Sequence, residues 1–242
     1  MVPRRTLVGL AVLAWLAGLA PDSARAEWVV SVYLGAAHTE PSQLTVSVPA
    51  RQTDLAFPEV RYRGESFDGP LYYGARLTRF LEPVSWLGVE VEFIHAKAFA
   101  NTQDTVPAQG QLDGVPVPGP VRLDTVVQRA SVSHGLNLLM ANLVTRWPAN
   151  PGTRVTAVGR VGLGLSIPHW ETTIQQEARE GYEAGGAALQ FAGGVQIALT
   201  ARLVALAEYK LTTTSPVSDA ADRRVEARFL THHIVAGVGW RF

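Results

Sequence analysis

Eight stretches of this chain alternate apolar and polar side chains, and this alternation constrains the fold more than any other feature of the sequence. Successive side chains of a β-strand point to opposite faces, so each stretch predicts a strand with one apolar and one polar face. A wall of such strands suits lipid on one side and a polar interior on the other. The predicted strands are 28–37, 71–81, 86–98, 126–147, 155–166, 189–200, 203–213 and 230–242. The phase of the fourth strand stays open, because Asn137 and Asn142 share a face only if that strand contains a bulge.

The connections between these strands alternate in length. Long connections at 38–69, 99–125, 168–185 and 215–229 are separated by short turns at 82–85, 148–152 and 200–202. A barrel threaded across a membrane has short periplasmic turns and longer outer loops. In a soluble sandwich nothing requires short and long connections to alternate along the chain. We therefore predict an all-β fold, an eight-stranded antiparallel transmembrane up-and-down β-barrel with short periplasmic turns and long extracellular loops. Two β-like pieces, 44–48 and 55–62, predict a hairpin within the first long connection.

The N-terminus has the three parts of a secretory signal peptide. Arg4 and Arg5 form a basic start, residues 7–20 form an apolar run, and Ala24 and Ala26 supply the small residues of a cleavage site. The apolar run is shorter than the roughly 20 residues that a spanning helix needs. We therefore expect a signal peptide at 1–26 and an outer-membrane β-barrel at 27–242, exported to the bacterial outer membrane.

The last predicted strand, LTHHIVAGVGWRF, ends the chain on Phe242. It resembles the closing strand of bacterial outer-membrane β-barrels, whose assembly machinery reads a terminal Phe preceded by alternating apolar residues. The resemblance implies three partners: the assembly machinery, outer-membrane lipids and lipopolysaccharide. We expect a monomer.

Charge and cysteine content exclude other classes of protein. Three Arg and one Asp leave with the signal peptide, which takes the formal net charge from 0 to −2, so nothing indicates a nucleic-acid partner. The chain has no cysteine, so neither a disulfide framework nor thiol chemistry is available.

Six charged residues fall on the predicted inward faces, three of each sign. They are Arg76, Glu90, Glu92, Arg160, Glu208 and Lys210. The lumen of an eight-stranded barrel is just wide enough for side chains to fill, and an unpaired charge there would cost several kcal/mol. We therefore predict ion pairs that join the second, third, fifth and seventh strands. A filled lumen also makes a transport pore the least favoured function.

All six histidines map near the outer ends of the predicted strands. They are His38, His95, His134, His169, His232 and His233, with Glu171, Glu183 and Lys97 at the same level. Imidazoles with a nearby carboxylate are the usual ligands of a zinc or iron site. Amphipathic rings at a membrane interface can equally bridge water and headgroups, so both interpretations stay open. The sequence contains no HExxH, nucleophile-elbow or phosphate-loop motif.

Eight stretches carry a family resemblance over most of the mature chain. They are SVYLG (31–35), LYYGAR (71–76), GVEVEFIHAKAFA (88–100), SHGLNLLMAN (133–142), IPHWET (167–172), YEAGGAALQFAGG (182–194), AEYK (207–210) and HHIVAGVGWRF (232–242). Together they resemble the small outer-membrane barrels that include the rhizobial lipid A oxidase, with HAK, SHGLN and PHxE as the most specific parts. The resemblance implies oxygen-dependent oxidation of the proximal glucosamine of lipid A to an aminogluconate unit in the outer leaflet.

That activity would place the reacting sugar at headgroup level. The residues expected to be catalytic there are His95, His134, His169 and Glu171. The expected ligands of a divalent metal, iron or similar, that activates oxygen are His134, His169, His232 and His233. Lys97 and Arg129 are expected to hold the lipid phosphates.

Two other functions stay open beside the oxidase. One is a non-enzymatic structural or adhesive barrel, in which the histidines at the rim only contact water and lipid headgroups. The other is a lipid A deacylase that uses Ser133 or Ser131 with His134 and a Glu. Adjacent residues of a strand point to opposite faces, so Ser133 and His134 are not expected to form a dyad.

Overall fold

The computed structural model describes residues 27–82, 84–149, 153–183, 185–220 and 222–242; the predicted signal peptide lies outside these ranges. The strands are β1 (Trp28–Thr39), β2 (Ser42–Val48), β3 (Thr53–Val60), β4 (Tyr62–Arg63), β5 (Tyr73–Phe80), β6 (Leu87–Ala100), β7 (Thr105–Val106), β8 (Gln109–Leu112), β9 (Val115–Pro116), β10 (Val121–Arg122), β11 (Val127–Trp147), β12 (Val155–Ile174), β13 (Glu177–Tyr182), β14 (Ala187–Ala198), β15 (Leu203–Thr214), β16 (Val217–Ala220), β17 (Arg223–Ala227) and β18 (Phe229–Arg241). Two short 3-10 helices span Pro49–Arg51 and Leu123–Thr125. Among the described residues, no helix is long and apolar enough to cross a bilayer.

Eight of these strands close into one antiparallel barrel. Their order around the wall is β1, β5, β6, β11, β12, β14, β15 and β18, and β18 pairs with β1. The closing pair runs without a register shift from Val29 opposite Arg241 to Thr39 opposite Thr231. Closure removes the free edges of the sheet, which is what a β-structure in lipid requires. The eight-stranded antiparallel barrel predicted from the sequence is therefore confirmed.

The outward faces of the wall strands form an exposed apolar belt. Its members include Val32, Leu34, Leu143, Leu163, Leu165, Phe191 and Ile234. Exposed Trp147 and Trp240 lie at its lower edge, and exposed Tyr73 and Tyr209 lie near its outer edge, as in the aromatic girdles of membrane barrels. A continuous apolar surface of this size is unfavourable in water, so the belt faces the hydrocarbon of a bilayer.

The six charged residues of the inward faces form one buried network that joins β5, β6, β12 and β15. Glu208 accepts two hydrogen bonds of 2.7 Å from Arg76 and one of 2.6 Å from Arg160. Arg160 also binds Glu90 at 2.9 Å, and Lys210 forms an ion pair with Glu92. The three cations thus face three carboxylates, and the network is neutral as a whole.

The long connections build a second sheet above the barrel. Its strand order is β16, β17, β2, β3, β8 and β9. The expected hairpin of the first connection is β2 with β3, whereas the other four strands come from connections in which the sequence showed no strand pattern. The ring of Phe229 packs edge-on against Tyr62 at 5.0 Å and lies 6.4 Å from Trp170. These rings share one buried core with Leu44 and Phe57, so the outer sheet caps the lumen.

Two wall strands differ from the prediction at their outer ends. β12 continues to Ile174 and forms a hairpin with β13, although the sequence predicted a connection over 168–185. β11 carries a bulge between Ser131 and Leu136, and its register is regular from Leu136 to Trp147. Asn142 therefore faces the lumen, where it binds Glu92 at 3.0 Å, while Asn137 lies on the opposite face. The bulge that the sequence left open exists, but it lies before both asparagines.

Candidate functional site

The bulge in β11 is the local feature that creates a site on the outer face of the barrel. Between Ser131 and Leu136 the strand accommodates two more residues than its partner β12. Gly135 in the bulge has a φ of +127°, and a Cβ added there would lie 2.7 Å from the ring of His95. Only glycine tolerates both the backbone conformation and this close approach.

The bulge also turns Ser133 and His134 to the same side of the wall. The hydroxyl of Ser133 lies 3.1 Å from His134 Nδ1, and both groups reach the carboxylate of Glu171. The expectation that these two neighbours point to opposite faces is therefore wrong, because the regular alternation of a strand does not hold through a bulge.

The extension of β12 supplies the other half of the site. Ile167, His169 and Glu171 follow one another on the outward face, since they alternate with the inward Pro168 and Trp170. Ile167 belongs to the exposed apolar surface. At a rise of about 3.4 Å per residue, His169 lies roughly 7 Å along the strand beyond it. The site thus lies beyond Ile167, toward the outer end of β12, on the outward face of the wall.

Two imidazoles and one carboxylate converge there. The Oε1 atom of Glu171 lies 2.7 Å from His134 Nδ1 and 4.0 Å from His169 Nδ1. The ligand atoms of all three residues lie within 4.8 Å of one another. The imidazole rings of His134 and His169 meet edge to face at 4.9 Å, and the ring of Tyr182 packs on His169 at 4.5 Å.

Glu171 is held as a carboxylate. Burial of Glu171 raises its pKa. The hydrogen bonds from Ser133 and His134 and the positive charge of Arg129 lower the pKa by more than burial raises it, so the pKa lies below the usual value. Arg129 forms an ion pair with Oε2, which leaves Oε1 directed at the two imidazoles.

The three residues suit a divalent transition metal. Bonds of about 2.1 Å to imidazole nitrogen and carboxylate oxygen place two ligand atoms of one ion about 3–4 Å apart, close to the separations found here. His169 Nδ1 is buried and has no hydrogen-bond partner among the described residues, as expected of a nitrogen whose lone pair is available to an ion. Two histidines and one carboxylate form the ligand set of non-haem iron oxygenases.

Two other residues predicted to act here lie on β6, beside the bulge. His95 stacks on Tyr73 at 4.9 Å and its Nδ1 lies 2.9 Å from the side-chain oxygen of Asn137. Lys97 is 6% exposed and donates a hydrogen bond of 3.0 Å to the carbonyl oxygen of Asp68. Arg129, by contrast, is half exposed beside Glu171, so it is the more accessible of the two predicted phosphate-binding groups.

His232 and His233 lie elsewhere. His233 points into the lumen, where it is fully buried and its Nε2 lies 2.8 Å from the hydroxyl of Thr212. His232 lies on the outer face of β18, which is separated from β12 by β14 and β15. The structure therefore brings together only His134 and His169 of the four predicted metal ligands, and Glu171 is the third residue of their cluster.

Sequence reasoning missed Tyr182 and misplaced Ser133. Tyr182 was assigned to a long connection, although the alternation of strand five continues through HWETTI and implies a partner strand. Glu183, predicted at the same level, instead accepts hydrogen bonds from Ser218 and from the backbone of Asp219 in the outer sheet.

Comparisons with known proteins identify the architecture. Neither a protein-family model nor a curated protein sequence matches the chain. Among solved structures, OprG of Pseudomonas aeruginosa is similar with a TM-score of 0.50 and 11% identity, over 90% of this chain and 96% of that one. Neisserial surface protein A (TM-score 0.41, 11% identity, 89% and 97% covered) and Ail of Yersinia pestis (TM-score 0.38, 15% identity, 90% and 100% covered) also match. With its lipid-facing belt, this chain has the fold of the small eight-stranded outer-membrane β-barrels.

Proposed function

We propose that this protein oxidises a saccharide headgroup of the outer leaflet, and that its substrate is the proximal glucosamine of lipid A. The observation that carries the proposal is the cluster of His134, His169 and Glu171 on the lipid-facing side of the wall. The headgroup layer of a bilayer is about 5–8 Å deep on each side. With a strand tilt of about 35–45°, His169 lies about 5–6 Å above Ile167 along the membrane normal, which is within that depth. A lipid substrate can reach the cluster by lateral diffusion, without entering the lumen.

The donor set is compatible with oxidation, as in non-haem iron oxygenases, although hydrolytic zinc sites use the same three ligand types. An iron-type ion held by His134, His169 and Glu171 would supply the centre that activates dioxygen. Oxidation of the C1 hemiacetal to a lactone removes two electrons and two protons, and dioxygen takes up both to become hydrogen peroxide. Water then opens the lactone to the aminogluconate. The sugar must carry a free hydroxyl at C1, so lipid A without a C1 phosphate is the proposed substrate.

Three further residues have roles in this proposal. His95 is 5% exposed, and its Nε2 has no hydrogen-bond partner among the described residues. When Nδ1–H donates to Asn137, Nε2 carries a lone pair, and it can accept the proton of the C1 hydroxyl only if the ring moves to open this buried atom to the substrate. The half-exposed guanidinium of Arg129 would bind an anionic group of the lipid, and the exposed ring of Tyr182 offers an apolar face to the sugar.

Mass spectrometry of lipid A tests the proposal. The purified full chain in detergent, supplied with Fe²⁺ and air, should convert lipid A that lacks the C1 phosphate into a product with one additional oxygen atom. H134A, H169A and E171Q should each abolish conversion, as should a chelator. H38A is the matched control, because His38 is an exposed histidine on the opposite wall. Unchanged conversion by H134A and H169A would remove the cluster from the mechanism.

A hydrolytic function is the second candidate, because Ser133 lies 3.1 Å from an imidazole. In a Ser-His-acid triad the hydroxyl and the carboxylate bind opposite nitrogens of the ring. Here both approach Nδ1 of His134, which makes the oxidase the better-supported function. Loss of an acyl chain that S133A prevents would identify a deacylase, and unaltered lipid A would indicate a non-enzymatic barrel.

A further inference from the structure

A second cluster of metal-ligating side chains lies at the junction of the first and last strands. His38 of β1 and His232 of β18 are directly opposite in the register, and Glu40 follows β1 by one residue. The Nε2 atom of His232 lies 3.3 Å from Glu40 Oε1, and the Nε2 atom of His38 lies 3.7 Å from the same oxygen. Both imidazoles therefore direct the same nitrogen at one carboxylate oxygen.

The backbone around this cluster is fixed. The amide of Glu40 donates to the carbonyl oxygen of Leu230 at 2.9 Å, and the hydroxyls of Thr39 and Thr231 are hydrogen bonded at 3.0 Å. The cross-strand pairing thus continues to the position of Glu40. The side chain of His38 is 68% exposed and that of Glu40 is 43% exposed, whereas that of His232 is 33% exposed, so the first two can adjust around the third.

Tyr209 orients one of the two imidazoles. Its hydroxyl oxygen lies 2.5 Å from His232 Nδ1. When Nδ1–H donates to that oxygen, Nε2 carries the lone pair and faces Glu40. Histidine ligands of metals are commonly fixed in this manner by a second group on the other ring nitrogen.

We propose that His38 Nε2, Glu40 and His232 Nε2 form a second metal site for a divalent transition ion such as Zn²⁺, with Tyr209 as its positioning residue. Imidazole and carboxylate ligands suit Zn²⁺, and two ligand atoms of one ion lie about 3–4 Å apart, as Glu40 Oε1 does from each Nε2. The two Nε2 atoms lie too far from each other to share an ion as they stand, so the exposed His38 side chain must rotate toward His232 to complete the set.

The position of the site indicates what the ion does. β1 and β18 close the barrel, Glu40 lies where the chain passes into β2, and β17 leads into β18. An ion held there cross-links β1 to β18 where both strands connect to the outer sheet, and an ion that binds only the folded state stabilises it. This function is structural and does not depend on the proposed oxidase, because β1 and β18 lie on the opposite side of the wall from β11 and β12.

Isothermal titration with Zn²⁺ tests the inference. The full chain carrying H169A, which removes a ligand of the other cluster, should bind one Zn²⁺ in detergent. In that background H38A, E40Q and H232A should each weaken Zn²⁺ binding at least tenfold, and Y209F should weaken it by roughly 10- to 100-fold through loss of the orienting group. E59Q, a change at an exposed glutamate of the outer sheet, should leave binding unchanged.

A second measurement separates ligand loss from misfolding. Each variant should retain the heat-dependent gel mobility of a folded barrel. If H232A does not fold, the Zn²⁺ affinity of H38A tests the inference instead, because the side chain of His38 is largely exposed. Zn²⁺ should also slow proteolysis of the outer sheet in H169A and not in H38A/H169A. The inference is overturned if H169A binds no Zn²⁺, or if H38A/H169A binds it as tightly as H169A does.

Discussion

Neutralising Glu208 should strongly destabilise the barrel, because this carboxylate binds two buried arginines. In E208Q the carboxylate that accepts two hydrogen bonds from Arg76 and one from Arg160 becomes an amide. The amide offers one oxygen in place of two, and its NH₂ group opposes the guanidinium donors. All these side chains are 0–1% exposed, so solvent cannot replace the lost contacts.

The expected cost follows from the charges that remain. Without Glu208 the network holds Arg76, Arg160 and Lys210 against only Glu90 and Glu92. Removal of one partner of a buried pair typically costs about 3–5 kcal/mol, because it leaves an uncompensated buried charge. R76M in the E208Q background restores neutrality. The double variant should therefore lose about 1–3 kcal/mol less free energy of unfolding than the sum of the losses in R76M and E208Q.

Urea unfolding of the protein reconstituted in lipid vesicles measures this cost, with tryptophan fluorescence and gel mobility as probes. The matched control is D104N, because Arg61 also binds Asp104 through two hydrogen bonds, of 2.9 and 2.8 Å, but in exposed connections outside the barrel wall. Solvent screens exposed pairs, so D104N should leave the unfolding midpoint unchanged. If E208Q were as stable as the unaltered protein, the inference that charge pairing holds the lumen together would be refuted.

Two further substitutions test the bulge and the cap. G135A should cost about 1–3 kcal/mol and abolish lipid conversion, since it strains a φ of +127° and displaces His95; G193A, where an added Cβ meets nothing within 4 Å, should leave unfolding and conversion unchanged. F229A should cost about 3–5 kcal/mol by opening a cavity and speed proteolysis of the outer sheet, whereas F67A, at a ring that is 79% exposed, should do neither.

The barrel could be predicted because the sequence pattern that specifies it lies within each single strand. Alternation along each strand decides which side chains face lipid and which face the lumen, and no knowledge of neighbouring strands is needed. The same parity assigned Arg76, Glu92 and Lys210 to the interior. It also places the neighbours His232 and His233 on opposite faces, so alternation alone argues against both serving one metal.

The outer sheet could not be predicted in the same way. β8, β9, β16 and β17 are two to five residues long, too short for a period of two to stand out. Their pairing depends on contacts between connections far apart in the chain, such as Val225 with Val46. Likewise, of the two strands in the β12–β13 hairpin, only β12 shows an alternating pattern in the sequence.

Alternation and connection length were enough to predict the number of wall strands, their inward and outward faces and the level at which the histidines lie. Which of those histidines meet could be seen only in the folded chain. The short turn after β11 makes β11 and β12 neighbours, and the bulge at 131–136 turns His134 toward Glu171. Closure of the barrel brings His232 beside His38 on the opposite wall. Height along a strand follows from residue count, whereas these contacts depend on a local irregularity of one strand and on the pairing of the first strand with the last.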